Sequence, residues 1–219
     1  MTIKRNDFKL IIFDIDGTLT SSNELIFASF NHIYGKYFNK TLTPKEITGL
    51  FGPTEEQIIN RFFGENAQDA IEEYFNFYDS NHNLAQLYNG IHTLLSELNI
   101  RGKNIAAFTG KGRRAAQITL KRLEIEKFFG ELISGDDVVR QKPSGEGISK
   151  LLSKYEVTNQ EALMIGDSTA DIIAARENNV QIASVIWDSY AQDQVIRLKP
   201  DYLFRAVSDQ NNFLLNGHN

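Results

Sequence analysis

The chain is expected to fold as an α/β protein, a Rossmann-like doubly wound parallel sheet with an inserted α-helical cap domain. Three observations predict this. A short β-rich run, FKLIIF at 8–13, stops abruptly at acids. Over roughly 22–88 the apolar residues recur only at helical spacing. After Asn89-Gly90, helical and strand-like segments alternate almost to the end. At 219 residues the chain suits one large domain or a core with a smaller insertion. The expected division is a core of 1–20 and 89–219 and a cap of 21–88.

In order, 8–13 reads as a buried strand, and Asp14, Asp16 and Gly17 form the turn after it. The insert follows, with Leu25, Phe27, Phe30, Ile33, Tyr34 and Tyr37 on one helical stripe. A second stripe holds Ile58, Ile59, Phe62 and Phe63, and a third holds Ile71, Tyr74, Phe75 and Tyr78. Phe51-Gly52-Pro53-Thr54 breaks the insert, with Thr54 placed to cap the next helix. Beyond it the spacing predicts helices over 91–98, 113–123, 146–155 and 169–178. Strands are expected over 104–108, 131–134, 162–165 and 182–186, with 202–204 as a last edge strand. The tail, 210–219, is expected to fray. The aromatic stripe of the insert reads as core packing.

Hydrophobic residues at 42% and charged residues at 23% mark an ordinary globular composition. A formal charge of −5 offers no footprint for nucleic acid or an anionic membrane. With no cysteine there is no disulfide, thiolate zinc site or thiol nucleophile. The apolar run at 10–13 is too short for a signal h-region or a membrane span. The protein is therefore expected to be cytoplasmic, unanchored and monomeric, with a small molecule and no nucleic acid as its partner. His32, His82, His92 and His218 show no metal-ligand spacing.

In an open parallel sheet, ligands sit at the carboxyl ends of the strands. Three polar clusters fall there: Asp14-Asp16, Thr109-Gly110 and Asp167. Two carboxylates two residues apart suit two jobs: one as nucleophile forming an acyl phosphate, the other as general acid and base. Adjacent anions beside a phosphate require a cation, and Mg²⁺ prefers such oxygen ligands. Asp167, with Asp171 one turn later, adds carboxylate to the site. Lys142 can balance the nucleophile and the phosphoryl group. Thr109 and the backbone N–H groups of Ile15 and Gly110 can bind phosphate oxygens.

Asp14-Ile15-Asp16-Gly17-Thr18, Thr109-Gly110, Lys142-Pro143 and Gly166-Asp167-Ser168…Asp171 resemble, in order, the four motifs of the haloacid dehalogenase-like hydrolases. The insert resembles the helical cap of the subgroup with phosphoglycolate phosphatases, a pyrophosphatase and β-phosphoglucomutase. The resemblance implies Asp14 as nucleophile and Mg²⁺ ligand. It implies Asp16 as acid/base with its carbonyl on the metal, Thr109 binding phosphate and Lys142 neutralising it. Asp167 would be a metal ligand, and Asp171 a ligand or the partner of one. Asp16 speaks against the true dehalogenases of the superfamily, which generally lack an acid at that step. Two departures stand out. Thr20, Ser21 and Ser22 replace an expected acid near the hinge, and Ser144-Gly145-Glu146 follows Lys142-Pro143.

The expected activity is Mg²⁺-dependent hydrolysis of a small phosphorylated metabolite through an aspartyl phosphate. A phosphosugar mutase and a non-catalytic protein retaining the fold are the alternatives. Taken alone, several signals have plainer readings. Asp167 and Asp171 also read as helix-capping acids, Thr109-Gly110 as a simple turn, and Lys111 as either a substrate-binding or a solvated lysine. Phe51 to Thr54 is either a helix–helix turn or a loop over the site, and Arg61 is a weaker candidate.

Overall fold

The computed structural model describes residues 8–189 and 191–216. Leu10–Phe13 (β1) is an unbroken apolar run, and such a run suits a parallel strand covered on both faces. Ile11 and Phe13 pack into the core on one face and Leu10 and Ile12 into that on the other. This is the period of two that a strand imposes. Each buried side chain contributes about 1.5–3 kcal/mol, so the strand is anchored well before its last residue meets the acids.

Thr20–Ser21 (β2) leads into the insert of Asn23–Phe38 (α1), Pro44–Thr48 (α2), Glu55–Phe63 (α3) and Ala67–Ser80 (α4). The insert returns through Gln86–Leu87 (β3). β2 and β3 pair antiparallel, Thr20 opposite Leu87 and Ser21 opposite Gln86, and tie the two connecting chains together. The sequence reading missed this pair, because two residues a side carry no periodicity. The helices bury their apolar stripes against one another, with Phe30 and Tyr74 rings 5.0 Å apart and Tyr34 edge-on to Phe63 at 5.2 Å. The expectation of an aromatic packing stripe is met. α1 stops at Asn39, which adopts a left-handed φ of 51°. α3 starts at Thr54, whose N–H donates to Gln57 Oε1 at 3.1 Å.

The chain then alternates: Ile91–Ile100 (α5), Asn104–Phe108 (β4), Arg113–Arg122 (α6), Glu131–Ile133 (β5), Glu146–Tyr155 (α7), Ala162–Gly166 (β6). Thr169–Glu177 (α8), Gln181–Val185 (β7), Gln192–Arg197 (α9), Tyr202–Phe204 (β8) and Val207–Asn216 (α10) complete it. β1, β4, β5, β6, β7 and β8 form one parallel sheet in the order β5-β4-β1-β6-β7-β8. Side chains of α5, α6 and α10 cover one face, and those of α7, α8 and α9 the other. The α/β doubly wound sheet with a helical cap is thus the observed fold.

One expectation is overturned. Residues 210–216 do not fray: they belong to α10, where Gln210 and Phe213 are buried. The Phe213 ring lies 4.4 Å from that of Tyr202 and 5.3 Å from that of Phe204. The short apolar set of this helix finds its partner only when the sheet edge is built. Residues 217–219 lie outside the described residues, as do 1–7. α9 was also not anticipated. No helix among the described residues is long and apolar enough to cross a membrane.

Candidate active site

The sheet order reverses at β1, with β4 on one side and β6 on the other. A crevice opens at the carboxyl ends of strands at such a switch point. Asp14 follows β1, Thr109 follows β4 and Asp167 follows β6, and all three line one cavity of about 550 Å³. Asp16, Gly110, Lys111 and Lys142 line it too, so the separate sequence clusters converge.

The loop after β1 is a tight turn. The N–H groups of Thr18, Leu19 and Thr20 all donate to the Ile15 carbonyl, and Gly17 N–H donates to Thr20 O at 2.9 Å. Gly17 has φ +76°, and a Cβ there would sit 2.4 Å from Asp167 Oδ2. Glycine is needed for both the conformation and the approach of that carboxylate. The departure at Ser22 finds a use here: its hydroxyl donates to Asp16 Oδ1.

Lys142 Nζ lies 3.0 Å from Asp14 Oδ1 and 2.5 Å from Asp171 Oδ1, and 4.6 Å from the centre of the Phe108 ring. Asp171 is fully buried. Its Oδ2 accepts the Ser168 N–H at 3.1 Å and hydroxyl at 2.6 Å, so it also caps α8. The helix-capping reading of Asp171 is therefore met, and the same side chain also reaches Lys142. Gly166 makes room, since a Cβ there would lie 2.3 Å from Asp171 Cγ.

Asp14, Asp167 and Asp171 each offer an oxygen within 4.8 Å of the others, a group able to hold a metal ion. Burial, opposed by Lys142 but reinforced by Asp171 and Asp16, pushes the Asp14 carboxyl up to about 7. Burial and the charges of Asp14 and Asp171 push Asp167 well above the carboxylate range. Burial would lower the Lys142 ammonium, but Asp14 and Asp171 more than offset it and hold it raised. A cation among these acids would relieve that repulsion, and an all-oxygen donor set suits Mg²⁺.

On the other side, Thr109 is buried, and its Oγ1 accepts the Lys111 N–H at 3.2 Å. Lys111 is not solvated: it is 7% exposed, with Nζ 3.2 Å from Asp16 Oδ2 and 3.3 Å from Glu55 Oε1. Burial opposes its charge, but Asp16, Tyr78 and Glu55 hold its pKa well above the usual value. Glu55, in the first turn of α3, was missed by sequence reasoning. Its Oε2 also accepts the Gly112 N–H at 2.7 Å. An acid behind an N-cap is common enough that nothing marked this one. Phe51, Gly52 and Pro53 line the cavity, so the loop does lie over the site. Arg61 does not: it is exposed and its guanidinium sits 5.4 Å from the Phe62 ring. Arg113 pairs with Asp137 at 2.6 Å and Arg114 with Glu72 of α4 at 2.7 Å.

The fold and this edge define an α/β enzyme that gathers carboxylates and a lysine at a switch point under a helical lid. The chain belongs to the haloacid dehalogenase-like hydrolases, whose family model matches residues 11–185. The pyrophosphatase PpaX of Bacillus cereus is 28% identical over 200 residues, covering 91% of this chain and 93% of that protein. A haloacid dehalogenase-like family hydrolase of Streptococcus pneumoniae is 26% identical, with a TM-score of 0.76 over 94% of this chain and 98% of that one. A Haemophilus somnus protein described as a predicted phosphoglycolate phosphatase shares the fold. It has a TM-score of 0.79 at 24% identity, over 94% of this chain and 97% of that one.

Proposed function

We propose that the enzyme hydrolyses the phosphate ester of a small phosphorylated metabolite in the cytoplasm, with Asp14 as nucleophile and Mg²⁺ as cofactor. The observation that carries this reading is Asp14 itself. It is a nearly buried carboxylate at the end of β1 that lines the cavity 3.0 Å from Lys142.

Asp14 attacks phosphorus through one carboxylate oxygen. The ester P–O bond breaks, its electron pair leaves on the alcohol oxygen, and Asp16 supplies the proton. Asp16 then takes a proton from water, whose oxygen attacks the aspartyl phosphate. The P–O bond to Asp14 breaks, releasing inorganic phosphate and the free carboxylate. Lys142 and Thr109, with the backbone N–H groups of Ile15 and Gly110, hold the phosphoryl oxygens, and such fixed donors stabilise the charge on the way. Asp14 and Asp167 would hold Mg²⁺ through side chains and Asp16 through its carbonyl, with Asp171 as the adjoining carboxylate. When bound, the ion offsets the negative charge shared by Asp14 and the phosphoryl group. Lys111 steadies Asp16 on the side of the leaving group. Residues 21–88 act as the lid that closes over the site and excludes bulk water.

The test is release of phosphate from 4-nitrophenyl phosphate with Mg²⁺, with EDTA, and by Asp14→Asn. Hydrolysis that needs Mg²⁺ and disappears in the variant is expected. Equal rates in the variant and the parent would sink the nucleophile assignment.

A further inference from the structure

The charges around the cavity restrict what the leaving group can be. Among the described residues that line it, the acids are Asp14, Asp16, Glu55, Asp167 and Asp188, and the cations are Lys111 and Lys142. Neither lysine is left over for a second anionic group, since Lys142 also serves the phosphoryl group in the proposed reaction. Lys142 is held by Asp14 and Asp171, and Lys111 by Asp16 and Glu55. The double negative charge of a phosphoryl group would already use the positive charge that a divalent ion brings. A second anionic group, such as a carboxylate or another phosphate, would face carboxylates with no cation left to meet it.

The rest of the wall joins uncharged polar residues, Asn23, Thr109, Ser168, Thr169 and Ser189, to a larger apolar surface. Ile26, Phe30, Phe51 and Ile58 come from the cap, and Ile173 from α8. Phe51 is 46% exposed and Ile173 47%, so two large apolar side chains stand open to solvent on cavity walls contributed by the cap and the core. Exposed apolar surface at a cavity of this size, about 550 Å³, is what an apolar ligand covers. Glu55 has a particular part in this. It reaches from α3 to Lys111, which would otherwise keep only Asp16 as a partner and have charge to spare for an acidic leaving group.

We infer that the leaving group is an uncharged alcohol with an apolar body, so that the preferred substrates are apolar phosphate monoesters. Pyrophosphate and phosphoglycolate, for which relatives are named, fit the site worse, and Glu55 enforces that exclusion. The inference rests on the proposed phosphatase reading.

The test compares kcat/KM, in saturating Mg²⁺, for 2-phenylethyl phosphate, phosphoglycolate, inorganic pyrophosphate and glucose 6-phosphate. 2-Phenylethyl phosphate and phosphoglycolate release alkoxides of similar basicity, so their difference reports binding. 2-Phenylethyl phosphate is expected to lead each of the others by at least about tenfold, chiefly through KM. An equal or higher value for phosphoglycolate, pyrophosphate or glucose 6-phosphate would overturn the inference and leave the phosphatase reading intact. No hydrolysis of these four or of 4-nitrophenyl phosphate, with Asp14→Asn no different from the parent, would overturn the phosphatase reading itself. In Glu55→Gln, Lys111 loses its second carboxylate. The ratio of phosphoglycolate to 2-phenylethyl phosphate is expected to rise about fivefold or more, whereas a general loss of structure would lower both together. An unchanged ratio would remove Glu55 from the exclusion.

Discussion

The lower wall of the cavity is a row of acids and lysines of the core: Asp14 and Asp16 after β1, Lys111 after β4, Asp167 after β6 and Lys142 in the loop before α7, with Asp171 behind. The upper wall is Ile26, Phe30, Phe51 and Ile58 of the cap, with Glu55 its single charge among the described residues. The charged wall is held by ion pairs and short turns, so its members stand in fixed relation. The cap wall is held by packing of aromatic stripes, which tolerates exchange of one apolar side chain for another of similar volume. Under the proposed function, the difference teaches that one half of the site would perform the chemistry and the other would choose the molecule.

The largest effect is expected on the charged wall. Asp14→Asn should lower kcat by a factor on the order of 10⁴ or more, as removal of a nucleophile does. Its thermal midpoint should hold or rise, because a buried carboxylate crowded by Asp16 and Asp171 is neutralised. Phosphate release and a melting curve on the same preparation check both halves.

Lys142→Ala should be the costlier change for the fold. It strips the ion-pair partner from Asp14 and from the fully buried Asp171. Breaking a buried pair from one side costs about 3–5 kcal/mol, measurable by urea unfolding. A variant as stable as the parent would show that the charged wall is not a structural unit.

The seam between the walls should yield less. Tyr78 of α4 and Thr119 of α6 share a hydrogen bond of 2.8 Å, and His82 Nε2 lies 3.3 Å from the same hydroxyl. Tyr78→Phe removes the first while Thr119 keeps the second. A loss of about 1 kcal/mol is expected.

The smallest effect is that of acid on surface loops of the core. Hydrogen bonds from the Arg140 and Val139 N–H groups, with Lys150, hold Glu146 at about 2. Lys9 and Thr158 do the same for Glu161. A depressed folded-state pKa stabilises above the ordinary carboxylate range, and that stability is lost as pH falls toward 2. Unfolding midpoints should therefore decline from about pH 4.5 downward, and Glu161→Gln should flatten part of that decline. An identical profile in the variant would remove Glu161 from this account.

How much could be read without a structure follows the same division. Asp14, Thr109 and Asp167 were legible as candidates because each follows an apolar strand with a local pattern, whereas Lys142 stood out only through the resemblance of its motif. Lys111 was legible as a charge but not in its ion pairs. Its partner Glu55 is 56 residues away, and no spacing rule links a cap helix to a strand end. The β2–β3 pair and α10 were missed for a related reason: two-residue strands have no period, and α10 is held by Tyr202 and Phe204 across the sheet edge.

What the sequence by itself determined is local: which runs are strands or helices, where the acids fall relative to strand ends, and hence the chemistry they support. Apolar periodicity and turn residues act over a few positions, so they are visible in the chain. What only the tertiary structure decided is which charges meet. Lys142 was matched to Asp14 and Asp171, and Lys111 was spent on Asp16 and Glu55. A charge acts through space over a few ångströms, and the distance along the chain does not tell which partner burial will bring within that range.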